Sequence, residues 1–275
     1  MNNKQIVYGL EKYFNFINDK LKESYLRHLI DLQHHETENR PWALKETIQF
    51  DYEHLPKQGR DDRINTYTLI CVDHNLNIES TVYLLSNAFP EDSFCMKLAH
   101  LQSQGKESLL ASIFSRTQVL SKIWLGETIA KFQNHFKNVL LLGGWTTHHS
   151  LFFKDIKVDN LFSIDVDTSI NETAKTFNPN VIIDNGDASV AFDRLNQDFD
   201  LIINTSAEHM SMDWYNNIKP GTAVLIQSNN MDDPDHINKS IHLGEFLRKY
   251  PVSKTYFRGE YNFDNYSRFM VFGVK

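Results

Sequence analysis

Asn138-Val139-Leu140-Leu141-Leu142-Gly143-Gly144-Trp145 is an apolar run that ends on two adjacent glycines. A second apolar run follows at Phe162-Ser163-Ile164-Asp165-Val166-Asp167 and ends in acidic residues. Glycine lets the backbone approach a ligand closely, and an acidic side chain about 20 residues further on can accept hydrogen bonds from ribose hydroxyls. The two segments therefore predict a strand, a tight turn, a short crossover and a second strand that together form half of a nucleotide-binding site.

The glycine turn lacks one element of the usual dinucleotide site. The G-x-G-x-x-G fingerprint, which brings the backbone against a pyrophosphate, is absent after residue 142. This departure favours a nucleoside ligand that carries no phosphate.

Length and charge limit the class of protein. The 275 residues are enough for one large domain, or for a catalytic domain with an appendage, and we expect two parts. The formal net charge of -7 and the pI near 5.9 argue against a sequence-independent grip on nucleic acid, which depends on clustered lysine and arginine. A small-molecule or protein substrate is favoured, and the sequence does not indicate the oligomeric state.

The cysteines and the lengths of the apolar runs indicate the cellular compartment. The two cysteines, Cys71 and Cys95, fit neither a disulfide framework nor a zinc motif, which favours a reducing compartment. Charged residues interrupt every apolar run near the N-terminus, and no window reaches the roughly 18 apolar residues that a membrane span needs. We therefore expect a soluble, cytoplasmic protein without a membrane partner.

The chain before residue 137 has mainly helical patterns. Apolar residues recur at steps of three and four over residues 7–30, and a second helix is predicted from Pro41. Helical spacing returns between Ser108 and Phe136. Residues 1–136 are therefore predicted to be a mainly helical cap or substrate domain, although its many aromatic residues have the spacing of an ordinary helix core.

From residue 137 onward, short apolar runs alternate with polar crossovers. The predicted strands are Val139–Leu142, Leu161–Ile164, Val181–Ile183, Leu201–Ile203, Ala223–Gln227, Lys254–Phe257 and Arg268–Val274. The spacing of the first five suits right-handed crossovers in a parallel sheet, whereas the last two are too close for a crossover helix. Residues 137–275 are predicted to form a Rossmann-like α/β domain with a mostly parallel seven-stranded sheet and an antiparallel C-terminal hairpin.

This order of strands, glycines and acids resembles the class I S-adenosylmethionine-dependent methyltransferases over Asn138 to Lys275. The resemblance implies S-adenosyl-L-methionine as cofactor, with Gly143 and Gly144 against its methionine part, Asp165 on the ribose and Asp187 on the adenine amino group. Asp167 competes with Asp165 for the ribose, and we prefer Asp165 because it directly follows the apolar strand. The remaining residues expected at the cofactor are Trp145, Asn204 and Thr205.

The chain departs from that family in two places. Bulky residues, Trp145-Thr146-Thr147-His148-His149, stand where the family usually has spaced glycines, so side chains are expected to contact the cofactor there. The fourth strand lacks the Asp/Asn-Pro-Pro-Tyr signature of amino-directed nucleic-acid methyltransferases, which disfavours a nucleic-acid base as the methyl acceptor.

Catalytic and substrate residues are expected just beyond the fourth and fifth strands. Glu208 and His209 follow the fourth strand, where open α/β sheets place ligands, and either is a candidate base; alternatively they cap or pack beneath the next helix. Gln227 and Asn229 follow the fifth strand and are candidate substrate-binding residues, although such residues also serve turns. Tyr266 in the closing hairpin is a further candidate, and aromatic residues there often pack on the sheet edge.

Neither histidine pair predicts a metal site. His148-His149 and His34-His35 are adjacent in sequence, which points their side chains apart on a helix or a strand. We therefore expect no structural or catalytic metal, while His148 or His149 could reach the carboxylate of the cofactor.

Methyl transfer to a small molecule or a protein side chain is the leading hypothesis, and two others are open. The helical segment before a Rossmann-like half loosely resembles nicotianamine-synthase-like enzymes, which move the aminocarboxypropyl group of the same cofactor. Their glycine-proline first loop is absent here. A non-catalytic cofactor-binding protein is the third hypothesis, because fold alone does not establish chemistry.

Overall fold

The structure is a computed structural model that describes residues 93–153, 156–195 and 197–275. The helices predicted over residues 7–30 and from Pro41 lie outside these residues. The chain divides into two compact units, Met1–Leu120 and Ser121–Lys275. The domain boundary at residue 137 stays a prediction.

From residue 93 onward, where the described part of the chain begins, three helices precede the sheet: α1, Ser93–Ser103; α2, Glu107–Ile113; and α3, Arg116–Ala130. The helical spacing predicted from Ser108 is therefore correct as far as Ala130, with a break between α2 and α3. It is wrong at Phe136, which lies in the first strand and is buried in the core of the sheet. Phe132 and Phe136 keep a four-residue spacing, but the chain turns between them, so the spacing belongs to two different elements.

Seven strands form one sheet: β1, His135–Leu142; β2, Lys157–Asp165; β3, Ile182–Asn185; β4, Leu201–Asn204; β5, Ala223–Asn229; β6, Lys254–Asn262; and β7, Ser267–Val274. Their order is β3-β2-β1-β4-β5-β7-β6. The first five strands are parallel, and β7 runs antiparallel to both β5 and β6. The predicted fold class, which the methyltransferase resemblance implied, is confirmed.

Short helices connect the strands. The α-helices are α4, Asn171–Phe177; α5, Ala188–Leu195; α6, Asp213–Asn216; and α7, Leu243–Lys249. Segments of 3-10 helix lie at His148–Phe152, Thr168–Ile170 and Ala207–His209. In the part of the chain described by the structure, no helix combines the length and the apolarity required to cross a bilayer.

The sheet buries both of its faces, as the continuous apolar runs of its parallel strands require. Leu140 and Leu142 of β1 face a core that also contains Trp214 of α6 and Phe246 of α7. Side chains alternate along a strand, so Val139 and Leu141 face the opposite core. The second core also holds apolar residues of α3, namely Leu125 and Ile129. The α3 helix is thereby fixed against the sheet.

Gly126 allows α3 to approach the 3-10 helix that follows the glycine turn. A Cβ atom at Gly126 would lie 2.0 Å from the backbone carbonyl oxygen of Phe152, much closer than such atoms pack. Glycine is otherwise unfavourable in a helix interior by about 1 kcal/mol relative to alanine. Close contact with the backbone of Phe152 therefore explains why position 126 is a glycine.

We predict that Gly126→Ala destabilises the protein although alanine is the better helix former. Overpacking of a tight contact costs about 1–3 kcal/mol, and here backbone would have to move. Urea denaturation of the full chain followed by circular dichroism measures the change. Glu127→Ala, at the exposed neighbouring position of the same helix, is the matched control and should change stability little. An unchanged or raised stability of Gly126→Ala would contradict the close packing.

Candidate functional site

The carboxyl ends of β1, β2 and β4 meet at one edge of the sheet. β1 lies between β2 and β4, so the chain leaves β1 towards one side and reaches β4 on the other. At such a switch point the loops diverge and leave a crevice where ligands of open α/β sheets bind. The turn after β1 and the loop after β4 therefore border the candidate site.

The turn after β1 holds three residues in left-handed backbone conformations. Gly143 has φ of 57°, Trp145 of 45° and Thr147 of 56°. For a residue with a Cβ this conformation costs on the order of 1–3 kcal/mol, and it persists only where neighbours enforce it. Asn178 enforces it at Thr147, donating 3.0 Å and 2.6 Å hydrogen bonds to the carbonyl and hydroxyl oxygens. The turn is thus a rigid edge of the site.

Asp165 is held directly against this turn. Its Oδ2 accepts a 2.8 Å hydrogen bond from the backbone N–H of Trp145, and its Oδ1 accepts a 3.0 Å bond from the N–H of Asp167. Asp167 instead uses its own carboxylate locally, where Oδ1 accepts from the backbone and the hydroxyl of Ser169. Of the two acids, Asp165 is the one that the structure places at the glycine turn.

Asp187, predicted to bind adenine, lies at the start of α5. Its Oδ1 accepts hydrogen bonds of 2.7 Å from both the hydroxyl and the backbone N–H of Ser189. These bonds stabilise the carboxylate and lower the pKa of Asp187. The side chain is exposed, and Oδ1 caps the helix while Oδ2 has no hydrogen bond among the described residues.

The loop after β4 packs onto the glycine turn. Asn204 is fully buried; its Oδ1 accepts from the backbone N–H of Ser206, and its Nδ2 lies 3.2 Å from the sulfur of Met210. A Cβ atom at Gly143 would lie 2.5 Å from the terminal methyl of Met210. Glycine at this position therefore lets the two loops touch.

A buried polar cluster surrounds Thr205; we call Lys122, His149, Thr205 and Arg268 the Thr205 cluster. Lys122 donates a 3.0 Å hydrogen bond to the Thr205 hydroxyl, and His149 Nε2 lies 2.8 Å from the same oxygen. Arg268 donates to the backbone carbonyl of Thr205 at 3.2 Å. All four residues are at most 5% exposed. The cluster joins α3, the turn after β1, the end of β4 and β7 at one point.

The environment of the cluster opposes positive charge. Burial lowers the pKa of Lys122 well below its ordinary value, and the charge of Arg268 lowers it further, while Glu208 acts in the opposite direction. Burial likewise lowers the pKa of both His148 and His149, and Lys122 adds to the effect. The two histidines are therefore neutral near pH 7.

The histidine pair differs from the sequence prediction. The rings of His148 and His149 lie 4.8 Å apart with an angle of 34° between their planes, so the expectation that their side chains point apart is wrong. The pair begins a 3-10 helix directly after the left-handed Thr147, a backbone geometry that is neither α-helix nor strand. His148 is also held by Thr146, whose hydroxyl lies 2.9 Å from His148 Nδ1.

Glu208, in the loop after β4, meets Asn229, which is the last residue of β5. The expectation that Gln227 and Asn229 follow the fifth strand is wrong, because both residues still pair with β7. Glu208 is 2% exposed, and its Oε1 accepts a hydrogen bond from Asn229 Nδ2. Its Oε2 is buried and has no hydrogen-bond partner among the described residues. His209 is exposed and contacts the ring of His236, a residue of the loop after β5. The candidate catalytic pair is thus divided between a buried carboxylate and an exposed imidazole.

The other candidate substrate residues occupy different surroundings. Gln227 is fully buried, and its Nε2 donates 3.1 Å to the carbonyl of Ser121 and lies 3.3 Å from the sulfur of Met270. Its Oε1 has no partner among the described residues. Tyr266 lies in the β6–β7 turn with its ring 5.1 Å from that of Phe263. Asn229 is therefore the one of the three that the structure brings to Glu208.

Two polar residues of this region were missed by the sequence prediction. Lys122 lies three residues after the buried Val119 and three before the buried Leu125, so helical spacing already placed it on the apolar side of α3. A lysine on the apolar face of a helix indicates a buried polar group and could have identified this residue from the sequence. No feature of the sequence indicated His236, because this residue is 27 positions from His209 and only the folded chain brings the two together.

Comparisons with known proteins give similar folds only. No protein-family model matches the sequence, and no curated protein sequence matches it either. The YcgJ protein from Bacillus subtilis aligns with 14% identity and a TM-score of 0.43 over 56% of this chain and 98% of its own. An O-methyltransferase from Bacillus cereus, in complex with S-adenosylhomocysteine, aligns with 13% identity and a TM-score of 0.43 over 57% and 81%.

A further similar structure is the N-methyltransferase NodS from Bradyrhizobium japonicum in complex with S-adenosylhomocysteine. It is 11% identical, with a TM-score of 0.45 over 57% of this chain and 87% of that protein. At such identities none of these proteins indicates what this chain binds or modifies.

We predict that stability falls as pH decreases from 7 to 5, because His148 and His149 resist protonation in the folded state. The unfolded chain binds these protons below about pH 6.5, so each histidine costs up to about 1.4 kcal/mol per pH unit. Urea denaturation at several pH values measures the slope, and His149→Gln should reduce it. His135→Gln, which removes an exposed histidine of the same unit, should not. Equal slopes for all three proteins would contradict the buried neutral pair.

Proposed function

We propose that the chain is an S-adenosylmethionine-dependent methyltransferase whose cofactor binds between the turn after β1 and the loop after β4. The observation that carries the proposal is the position of Asp165 at the switch point. Its carboxylate is held by the N–H groups of Trp145 and Asp167, and each oxygen keeps a lone pair for a further donor. A carboxylate so fixed suits the two adjacent hydroxyls of a ribose.

Other residues fit the remaining parts of this cofactor. The Thr205 cluster offers two buried nitrogens without a partner among the described residues, His149 Nδ1 and Arg268 Nε. Arg268 is charged, and a carboxylate such as that of the methionine part suits its guanidinium group. Asp187 Oδ2 suits the adenine amino group. Trp145, Asn204 and Thr205 border the same crevice in our proposal.

The chemistry places few demands on the protein. When bound, S-adenosylmethionine supplies a methyl group on a sulfonium, and transfer is an in-line displacement that requires alignment and, for a protonated acceptor, a base. We propose Glu208 or His209 as that base, and Gln227, Asn229 and Tyr266 as substrate-binding residues. Asn229 would orient Glu208 through the hydrogen bond to Oε1 and leave Oε2 free.

The acceptor class in this proposal is a small molecule or a protein side chain. The net charge of -7 gives no general attraction to a phosphate backbone. We propose that the N-terminal unit selects the acceptor. The nucleoside product separates methyl transfer from the alternative reaction: S-adenosylhomocysteine reports methyl transfer, and methylthioadenosine reports aminocarboxypropyl transfer.

We predict that Asp165→Ala weakens S-adenosylmethionine binding by about 10- to 100-fold, because hydrogen bonds to a charged group contribute about 1.5–3 kcal/mol. Calorimetric titration with S-adenosylmethionine and S-adenosylhomocysteine measures this. Asp167→Ala, two residues away with a carboxylate used locally, is the matched control and should bind nearly as well as the wild type. Melting temperatures of both variants identify any loss of folding.

Two outcomes of this titration would overturn the proposal. Absence of binding to the wild type would exclude both transfer reactions. Full binding by a folded Asp165→Ala variant would show that the ribose site is elsewhere.

We predict that Glu208→Gln slows turnover with a confirmed acceptor by about 100-fold or more while cofactor affinity stays within threefold, since a general base contributes about 10²–10⁴-fold. Glutamine keeps the size of the side chain and an acceptor for Asn229. Initial rates and calorimetric titration measured on one preparation separate the two effects. Wild-type turnover by the variant would remove Glu208 from catalysis and leave His209 as the candidate.

A further inference from the structure

Glu208, His209 and His236 bring three metal-binding side chains to one place. A carboxylate oxygen of Glu208 and one ring nitrogen of each histidine all lie within 4.8 Å of one another. Glu208 and His209 belong to the loop after β4, and His236 to the loop after β5. Among the residues that the structure describes, this is the one group of three such donors.

Backbone carbonyls fix the protonation of both imidazoles. His209 Nδ1 lies 3.2 Å from the carbonyl oxygen of Asp235, and His236 Nδ1 lies 3.1 Å from that of Met231. A carbonyl oxygen only accepts hydrogen bonds, so in the neutral form of each imidazole Nδ1 carries the proton and Nε2 keeps a lone pair. Histidines that bind metals usually donate their second ring N–H to a carbonyl or carboxylate in this way.

Glu208 supplies an independent indication of a cation. The side chain is 98% buried, yet Oε2 has no hydrogen-bond partner, and Glu208 forms no ion pair within the described residues. A buried carboxylate oxygen that lacks a hydrogen-bond partner costs about 1–3 kcal/mol. Asn229 holds only Oε1. Oε2 is therefore the oxygen of Glu208 that is available to a cation.

We propose that these residues bind a first-row divalent metal ion, with Glu208 Oε2, His209 Nε2 and His236 Nε2 as ligands. Two imidazoles and one carboxylate suit Zn²⁺, whereas Mg²⁺ prefers oxygen ligands. Tetrahedral coordination with bonds of about 2.1 Å separates ligand atoms by about 3.4 Å, so closure requires small side-chain rotations. Three protein ligands leave one position open for water or an acceptor. With the metal bound, Glu208 and His209 serve as ligands, and the role of base proposed for them above applies to the metal-free site. The sequence predicted no metal, and this proposal differs from that expectation.

The surroundings allow a metal ion to enter and stay. His209 is exposed and His236 is half-buried, so the site opens to solvent on the histidine side. The positively charged form of Lys122 interacts with Glu208 and would compete with a cation there. Glu208 is the ligand at the buried end of the site.

Titration of metal-free full-length protein with Zn²⁺ tests the site. We expect His236→Gln and Glu208→Gln each to weaken one equivalent of binding at least tenfold. His242→Gln, which removes a histidine of the same loop outside the cluster, should bind as the wild type does. Replacing Zn²⁺ by Co²⁺ gives an absorption spectrum that reports imidazole and carboxylate ligands, and His236→Gln should change it.

The metal site and the proposed methyl transfer can fail separately. His236→Gln should leave S-adenosylmethionine affinity unchanged, because His236 is not among the proposed cofactor residues. The metal proposal is overturned if the wild type binds no Zn²⁺, or if folded His236→Gln and Glu208→Gln bind as many equivalents with wild-type affinity. In the latter case bound Zn²⁺ would lie on other histidines, and the His209–His236 contact would be only a ring contact.

Discussion

Parallel pairing of β1 with β2 on one side and β4 on the other is the constraint on which the rest of the structure depends. The register places Leu142 opposite Ile164 of β2 and Asn204 of β4. The carboxyl ends of all three strands therefore lie side by side, and the chain leaves each strand at the same edge of the sheet. The next residues along the three strands are Gly143, Asp165 and Thr205, so the glycine turn, the acid and the centre of the polar cluster all lie at this edge.

Several polar side chains are buried at the carboxyl edge of the sheet. Lys122, His149 and Arg268 are buried around Thr205 with few hydrogen bonds between them. Burial of such groups costs free energy unless they are paired. The surrounding core compensates for this cost, with apolar side chains packed on both faces of the sheet. The free energy gained in this apolar core allows the protein to bury polar groups that can bind a ligand.

Strand positions were predictable because a parallel sheet covered on both faces needs short, continuous apolar runs. The run at 139–142 is short and ends directly on two glycines, which favours a strand over a helix. Helix ends were less predictable: the spacing from Phe132 to Phe136 suits a helix, yet tertiary contacts place Phe136 in β1. At His148 and His149 the expectation failed because it assumed a regular helix or strand, whereas the turn is held in a left-handed conformation by Asn178.

The sequence by itself determined the sheet, its parallel and antiparallel parts, and the acids and polar loops at its carboxyl edge. These features are local, since apolar periodicity, glycine turns and the lengths of connections lie within short stretches of chain. Only the tertiary structure decided which distant side chains meet. Lys122 reaches Thr205, Asn229 reaches Glu208, and His236 reaches His209 across 83, 21 and 27 residues. Such contacts depend on strand order and register, which bring separate loops together and leave no trace in the spacing of residues along the chain.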